Sequence, residues 1–301
     1  MTLTPPSCKQ LIVNGDDFGL SPQVTAGILH AHRHGILTDT SLMVTAPAWE
    51  EAVALAKATP SLSVGLHLTL VQGRAALAAH LLPAVTDPFG NFSHNPTWAG
   101  LCYFFSRRAR AQVRAECQAQ IEKFLATDLP LTHLDGHLNL HLHPAVLDIL
   151  LALAREYGIR AMRLTREDLS VSLALDARHS LRKRRESVIF TTLSRAAEKK
   201  LRANGIAFPD ALFGLHQSGD LNERYVLGLL PRLREGVTEL YCHPAFLPCR
   251  EVQYWTPTYR RDVELAALTS PAVRAAVTNL RITLVSYLAC RSDGAPQPGA
   301  R

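Results

Sequence analysis

Six side chains able to hold a metal or move a proton fall on every second position of one short stretch: His133, Asp135, His137, Asn139, His141 and His143, in the run His133-Leu-Asp-Gly-His-Leu-Asn-Leu-His-Leu-His143. Four of the five interleaved residues are Leu. In an extended chain this alternation puts the polar set on one face and the leucines on the other. A face this rich in imidazole and carboxylate is poor core material, because every buried polar group needs a partner, but it suits a divalent cation. The run is longer than a usual strand, so only its start is expected in a sheet and the later histidines along a loop.

Three further segments set reactive groups after short apolar runs. Asn14-Gly-Asp-Asp-Phe-Gly19 places Asp16 beside Asp17. Tandem acids commonly mark only a turn, yet such a pair can also divide labour, one held by a metal and the other free as a general base. His67 stands in Gly65-Leu-His-Leu68, where the plain alternative is a hydrogen-bonded core histidine. Tyr241-Cys-His-Pro-Ala-Phe246 ends an apolar run at His243, and Pro244 stops the strand so that the imidazole points from its rim.

Groups so far apart in sequence must be brought together by elements that alternate in type. Apolar runs at 11–14, 42–45, 62–66, 131–136, 159–164, 237–242 and 282–286 read as strands. Helices are expected between them at about 21–35, with Ser21 as N-cap and Pro22 in the first turn, and at 49–58, 107–126 and 144–157. Residues 74–100 read as a long loop, and a basic helical region follows residue 164. This alternation implies a parallel sheet, and the number of units favours an α/β fold of one domain, a TIM-like β/α barrel, irregular or seven-stranded. Asp16, Asp17, His67, Asp135, His137, Arg163 and His243 all fall at or just past strand C-termini, which in such a barrel converge on one mouth.

The chain of 301 residues is 47% hydrophobic and carries no Gly/Ser/Pro-rich linker, so residues 1–301 are read as a single domain with a core of about 10–288 and a disordered tail at 291–301. Much of the net charge of +6 comes from Arg178, Arg182, Lys183, Arg184 and Arg185. Six scattered cysteines without a CxxC pair read as reduced thiols. With no leader-like N-terminus and no membrane-spanning run, a cytoplasmic protein is expected. There is no GxSxG, P-loop, GxGxxG or HExxH, which removes the serine-hydrolase, nucleotide-phosphate, dinucleotide and zincin classes, and the basic run lacks the interleaved aromatics of a nucleic-acid surface.

Taken together, Asn14-Gly-Asp-Asp-Phe-Gly19, Gly65-Leu-His-Leu68, Thr132-His-Leu-Asp-Gly-His137 and Cys242-His-Pro-Ala-Phe246 resemble, in order and spacing, the YdjC-like (ChbG/YdjC) carbohydrate deacetylases, and within them the hopanoid-biosynthesis-associated HpnK type. The resemblance runs from Leu11 to about Tyr287. It implies one divalent metal ion, magnesium or zinc, on Asp17, His67 and His137, with Asp16 as general base and His243 as an acid or oxyanion-side partner. Asp135, Arg163 and His141 are candidates for supporting these groups or touching substrate. One departure is Leu138-Asn139, where many members carry further histidines. The expected substrate is an N-acetylated amino sugar, lipid-linked if the hopanoid branch applies and a soluble chitooligosaccharide otherwise. A homodimer is expected, as is membrane contact through 178–185, whose charge would be drawn to anionic lipid. Two rivals are a metal-dependent hydrolase of another bond, since His141-Leu-His143 has the HxH form of amidohydrolases, and a sugar-binding barrel without turnover.

Overall fold

The computed structural model describes residues 9–250, 252 and 256–290; the expected tail at 291–301 lies outside them. Seven parallel strands form one sheet. They are β1 (Lys9–Phe18), β2 (Asp39–Leu42), β3 (Ser63–Leu68), β4 (Leu134–Gly136), β5 (Ala211–Phe213), β6 (Gly236–Cys242) and β7 (Thr283–Leu284). Their order is β4-β3-β2-β1-β6-β5, and β7 pairs with the start of β1. Parallel bridges Leu134–Met162 and Ala161–Ala207 carry the ladder onward from β4 toward the segment that enters β5. The sheet therefore curls as the expected irregular barrel.

Helices cover it: α1 (Pro22–His34), α2 (Trp49–Lys57), α3 (Pro96–Phe105), α4 (Arg107–Leu125), α5 (Pro144–Tyr157), α6 (Leu169–Leu175), α7 (Ser180–Ala203), α8 (Glu223–Leu229), α9 (Arg261–Thr269) and α10 (Pro271–Asn279). The Ser21 hydroxyl accepts from Val24 N and caps α1 as its sequence implies. Gly158, at φ 71°, ends α5 in the left-handed region.

Three expectations are corrected, and one strand, β5, is additional to those expected. The second strand is Asp39–Leu42 rather than 42–45, because Asp39, Thr40 and Ser41 are fully buried polar residues with partners on other segments, as in the Tyr287 N–H donating to Asp39 and Thr40 Oγ1 donating to Gly15 O. Residues 159–164 make only the two bridges named above, not a full strand. The proposed loop 74–100 ends in α3, whose Pro96 is no breaker: it sits in the first turn behind Asn95, whose side chain accepts from Thr97 N and Trp98 N.

Candidate active site

The tandem acids lie where β1 is irregular. Its register against β2 shifts between Gly15 and Phe18, and Asp17 takes φ 68°. In a regular strand neighbouring side chains face opposite sides. The bulge re-aims them, so that both carboxylates line one cleft with His67, His137, Asn139, Ser218, Tyr241, His243 and Tyr259. A left-handed backbone at a buried non-glycine residue is strain held in place by the surrounding site.

Asp17, His67 and His137 converge. Asp17 Oδ1 lies 3.5 Å from His67 Nε2 and 3.3 Å from His137 Nδ1, and the two nitrogens are 3.4 Å apart. Metal bonds of about 2.0–2.1 Å in a tetrahedron separate ligand atoms by about 3.3 Å. Asp17 Oδ1 is buried with no hydrogen-bond donor, while its other oxygen accepts from Arg261 Nη2 at 2.7 Å. Burial would raise the Asp17 carboxyl, but Arg261 and then His137 hold it well below the usual range. These donors fit one divalent ion. A second cluster, Asp16, His67 and Asp135, also lies within reach of a metal, but Arg163 already neutralises both of its acids.

His67 and Asp16 are each held from behind. His67 Nδ1 donates to Asp135 Oδ1 at 2.8 Å, fixing the tautomer that leaves Nε2 facing the cleft. Burial pulls the His67 imidazole down, yet Asp135, then Asp16 and Asp17, raise it to about 9, so a cation bound there would take the place of the Nε2 proton. Arg163, itself buried, grips Asp16 with two bonds of 2.7 Å, reaches Asp135 Oδ2 at 2.8 Å, and donates from Nε to Glu239 Oε1 at 2.9 Å. The expected supporting roles of Asp135 and Arg163 thus have direct contacts behind them.

His243 lines the cleft, and Glu264 accepts from its backbone N–H. Burial, then Arg261, pushes its imidazole down to about 4 against the pull of Asp17, so it is neutral at pH 7. A neutral imidazole can offer an N–H to a developing oxyanion, and it can release a proton as an acid only after gaining one.

The remaining residues of the alternating run scatter, which corrects the single-face expectation. After Gly136 the chain leaves the strand for a 3-10 turn, His137–Leu142, with Leu138 and Asn139 at φ 53° and 56°. Asn139 stays in the cleft. His133 lies flat on Tyr287, ring centroids 3.8 Å apart, and burial holds it down at about 3. His141 Nε2 donates to the Arg163 carbonyl, away from the cleft lining, so it braces Arg163 rather than facing substrate. His143 sits against Tyr103 and Phe104 of α3.

The basic run is not a free patch. Arg178 bridges Asp176 and Asp220, Arg182 pairs with Glu186, and Lys183 is buried with its amine on Asp176 O and Gln217. Arg178, Arg182 and Lys183 line a pocket that shares Ser218 and Tyr259 with the cleft. This leaves Arg184 and Arg185 exposed.

Arg261, Glu239 and Glu264 went unnoticed in the sequence. Glu239 had a signal, a charge inside the otherwise uncharged run 237–242. Arg261, in Arg260-Arg-Asp262, looked like an ordinary helix start.

A profile of the YdjC-like protein family matches residues 10–279. A carbohydrate deacetylase of Geobacillus stearothermophilus is 30% identical over 93% of this chain and 97% of its own length. A chitooligosaccharide deacetylase of Serratia marcescens is 30% identical over 93% and 98%, and a carbohydrate deacetylase of Brevibacillus brevis is 42% identical over 50% and 57%. A solved structure from Enterococcus faecalis V583, assigned by its name to cellobiose-phosphate cleavage, superposes with a TM-score of 0.72 at 30% identity, covering 94% of this chain and 98% of that one.

Proposed function

The chain belongs to the YdjC-like family, and from that premise we propose that it is a metal-dependent carbohydrate deacetylase that hydrolyses the N-acetyl group of an N-acetylglucosamine-containing substrate. The observation that carries this reading is the meeting of Asp17 Oδ1, His67 Nε2 and His137 Nδ1 at mutual distances of 3.3–3.5 Å, next to an Asp16 that Arg163 grips through both oxygens. A divalent ion held there supplies Lewis acidity, polarising an amide carbonyl and making water a stronger acid.

The side chains divide the rest. Asp16 takes the proton as water attacks the acetyl carbon, and Arg163 fixes the angle from which it does so. His243 offers its N–H to the oxyanion, and the proton that Asp16 took from water is passed on to the departing amine with His243 as its carrier. Asp135 and Arg261 hold His67 and Asp17 in place. Acetate and a free amino sugar leave.

The chitooligosaccharide deacetylase among the relatives favours a soluble oligosaccharide, whereas the motif resemblance to the hopanoid branch favours a lipid-linked N-acetylglucosamine; we put the lipid-linked sugar first. Acetate release from both substrates, with elemental analysis of the dialysed protein, tests the reading. Turnover should require one bound zinc or magnesium per chain and vanish in His67→Ala. Release of another product would move the protein to a different hydrolase, and sugar binding without acetate would make it a binding barrel. Sedimentation equilibrium tests the expected homodimer.

A further inference from the structure

We propose that α3 and the first turn of α4 form a contact surface for a lipid bilayer carrying anionic headgroups. Trp98, Leu101 and Phe105, spaced to share one side of α3, are 65%, 49% and 75% exposed, and Phe104 beside them is 48% exposed. The opposite side, Ala99 and Tyr103, is buried. Single exposed apolar residues are ordinary, but four large ones on one short helix form a patch.

Charge identifies the occupant. Between Asp87 and Glu116 the chain has no carboxylate, yet it carries Arg107, Arg108, Arg110 and Arg114 directly after the aromatic helix. Arg110 donates to Phe104 O and ties the two helices together, and Arg114 turns to Glu156. Arg107 and Arg108 are exposed and have no acidic partner among the described residues. Aromatic and apolar side chains at headgroup depth, with arginines beside them, are what an interfacial helix presents to a membrane. A second copy of the chain suits the face less well: a two-fold contact would bring Arg107 and Arg108 together with their own copies, and residues 88–115 supply no carboxylate to receive them.

The surface adjoins the cleft. α3 packs against the 3-10 turn that carries His137 and Leu138, and the Phe104 ring lies 6.2 Å from that of His143 at the end of that turn. A protein seated on this face would hold the cleft beside the lipid surface. The inference is independent of the metal site, since vesicle binding needs neither ion nor substrate.

Co-sedimentation with phosphatidylglycerol-containing vesicles, against pure phosphatidylcholine, decides it. Wild type should bind the anionic vesicles and release them in molar salt. Arg107→Gln/Arg108→Gln should bind at least about tenfold more weakly, in line with ~1 kcal/mol per basic residue near an anionic leaflet, and Trp98→Ser/Phe105→Ser, which loses the apolar contact, should likewise bind at least about tenfold more weakly. Arg184→Ser/Arg185→Ser should bind as wild type. Metal content and turnover of a soluble acetylated sugar should be unchanged in all three. If the apolar variant misfolds, the arginine variant and the salt series still decide. Absent or lipid-indifferent binding, undiminished binding in the arginine variant, or a dimer that dissociates in Trp98→Ser/Phe105→Ser without any vesicle binding would overturn the proposal.

Discussion

At the residue scale, the tandem acids do different work because their surroundings differ. Asp16 meets Arg163 and Asn14, while Asp17 meets Arg261 and two imidazoles. Asp16→Asn should therefore keep the metal and lower turnover by roughly 10²–10⁴-fold, the range of general acid/base groups. Asp17→Asn should lose metal first. Elemental analysis and kcat on the two proteins check this, and the opposite pattern would reverse the assignment of ligand and base. Asp16, Asp17, His67 and His137 stand out in the sequence as reactive groups after apolar runs, but their grouping as ligands and base is what the motif resemblance implies, not what their spacing shows. Arg261 does not stand out, since its partner Asp17 lies 244 positions away and nothing local ties them.

At the element scale, β3 is fitted to what lies beneath it. A Cβ on Gly65 would stand 2.4–2.6 Å from three atoms of the His133 ring, which cannot retreat because Tyr287 is stacked on its other face. Gly65→Ala should cost about 1–3 kcal/mol, the usual range for overpacking, and should weaken metal binding by displacing His67 two residues on. Urea melts and metal titration measure the two effects. A neutral substitution would mean that the stack yields. The longer apolar strands were readable, whereas β2, the three-residue β5 and the 159–164 segment were not: β2 is built on buried polar residues, β5 is too short for a pattern, and 159–164 is held by scattered bridges. The alternating run misled for a related reason. Alternation predicts facing only while the backbone stays extended, and it stops at His137.

At the scale of the whole molecule, Tyr287 ties together two strands far apart in the sequence, β2 and β6. Tyr287 donates its backbone N–H to Asp39 and its hydroxyl to Glu239. Burial raises the Asp39 carboxyl to about 6, and its second oxygen has no donor. An acid whose folded value lies above its unfolded one favours the fold while protonated, so its contribution is intact below about pH 4, falls as pH rises toward 6, and is gone above that. Asp39→Asn should accordingly be more stable than wild type by ~2–3 kcal/mol at pH 7.5, at about 1.4 kcal/mol per tenfold in proton affinity, with the gain shrinking toward pH 4. Denaturant melts at the two pH values test the sign, and a gain that does not vary with pH would exclude the ionisation as its cause. The barrel architecture itself was legible, because strand and helix signals alternate over the entire chain.

The bulge in β1 carries a consequence for how such an enzyme can change. Asp16 and Asp17 share a peptide unit, so neither carboxylate can drift without dragging the other, and any shift that re-aimed the base would also spoil the metal's seat. Natural variation toward a new acetylated sugar is therefore barred from the centre. It is freer at the rim, where Leu138 and Ser218 line the cleft; Thr256 and Tyr259 line it too but touch Arg261, which holds Asp17. Relatives that differ in diet should differ there, and directed evolution of substrate range should collect its mutations there too.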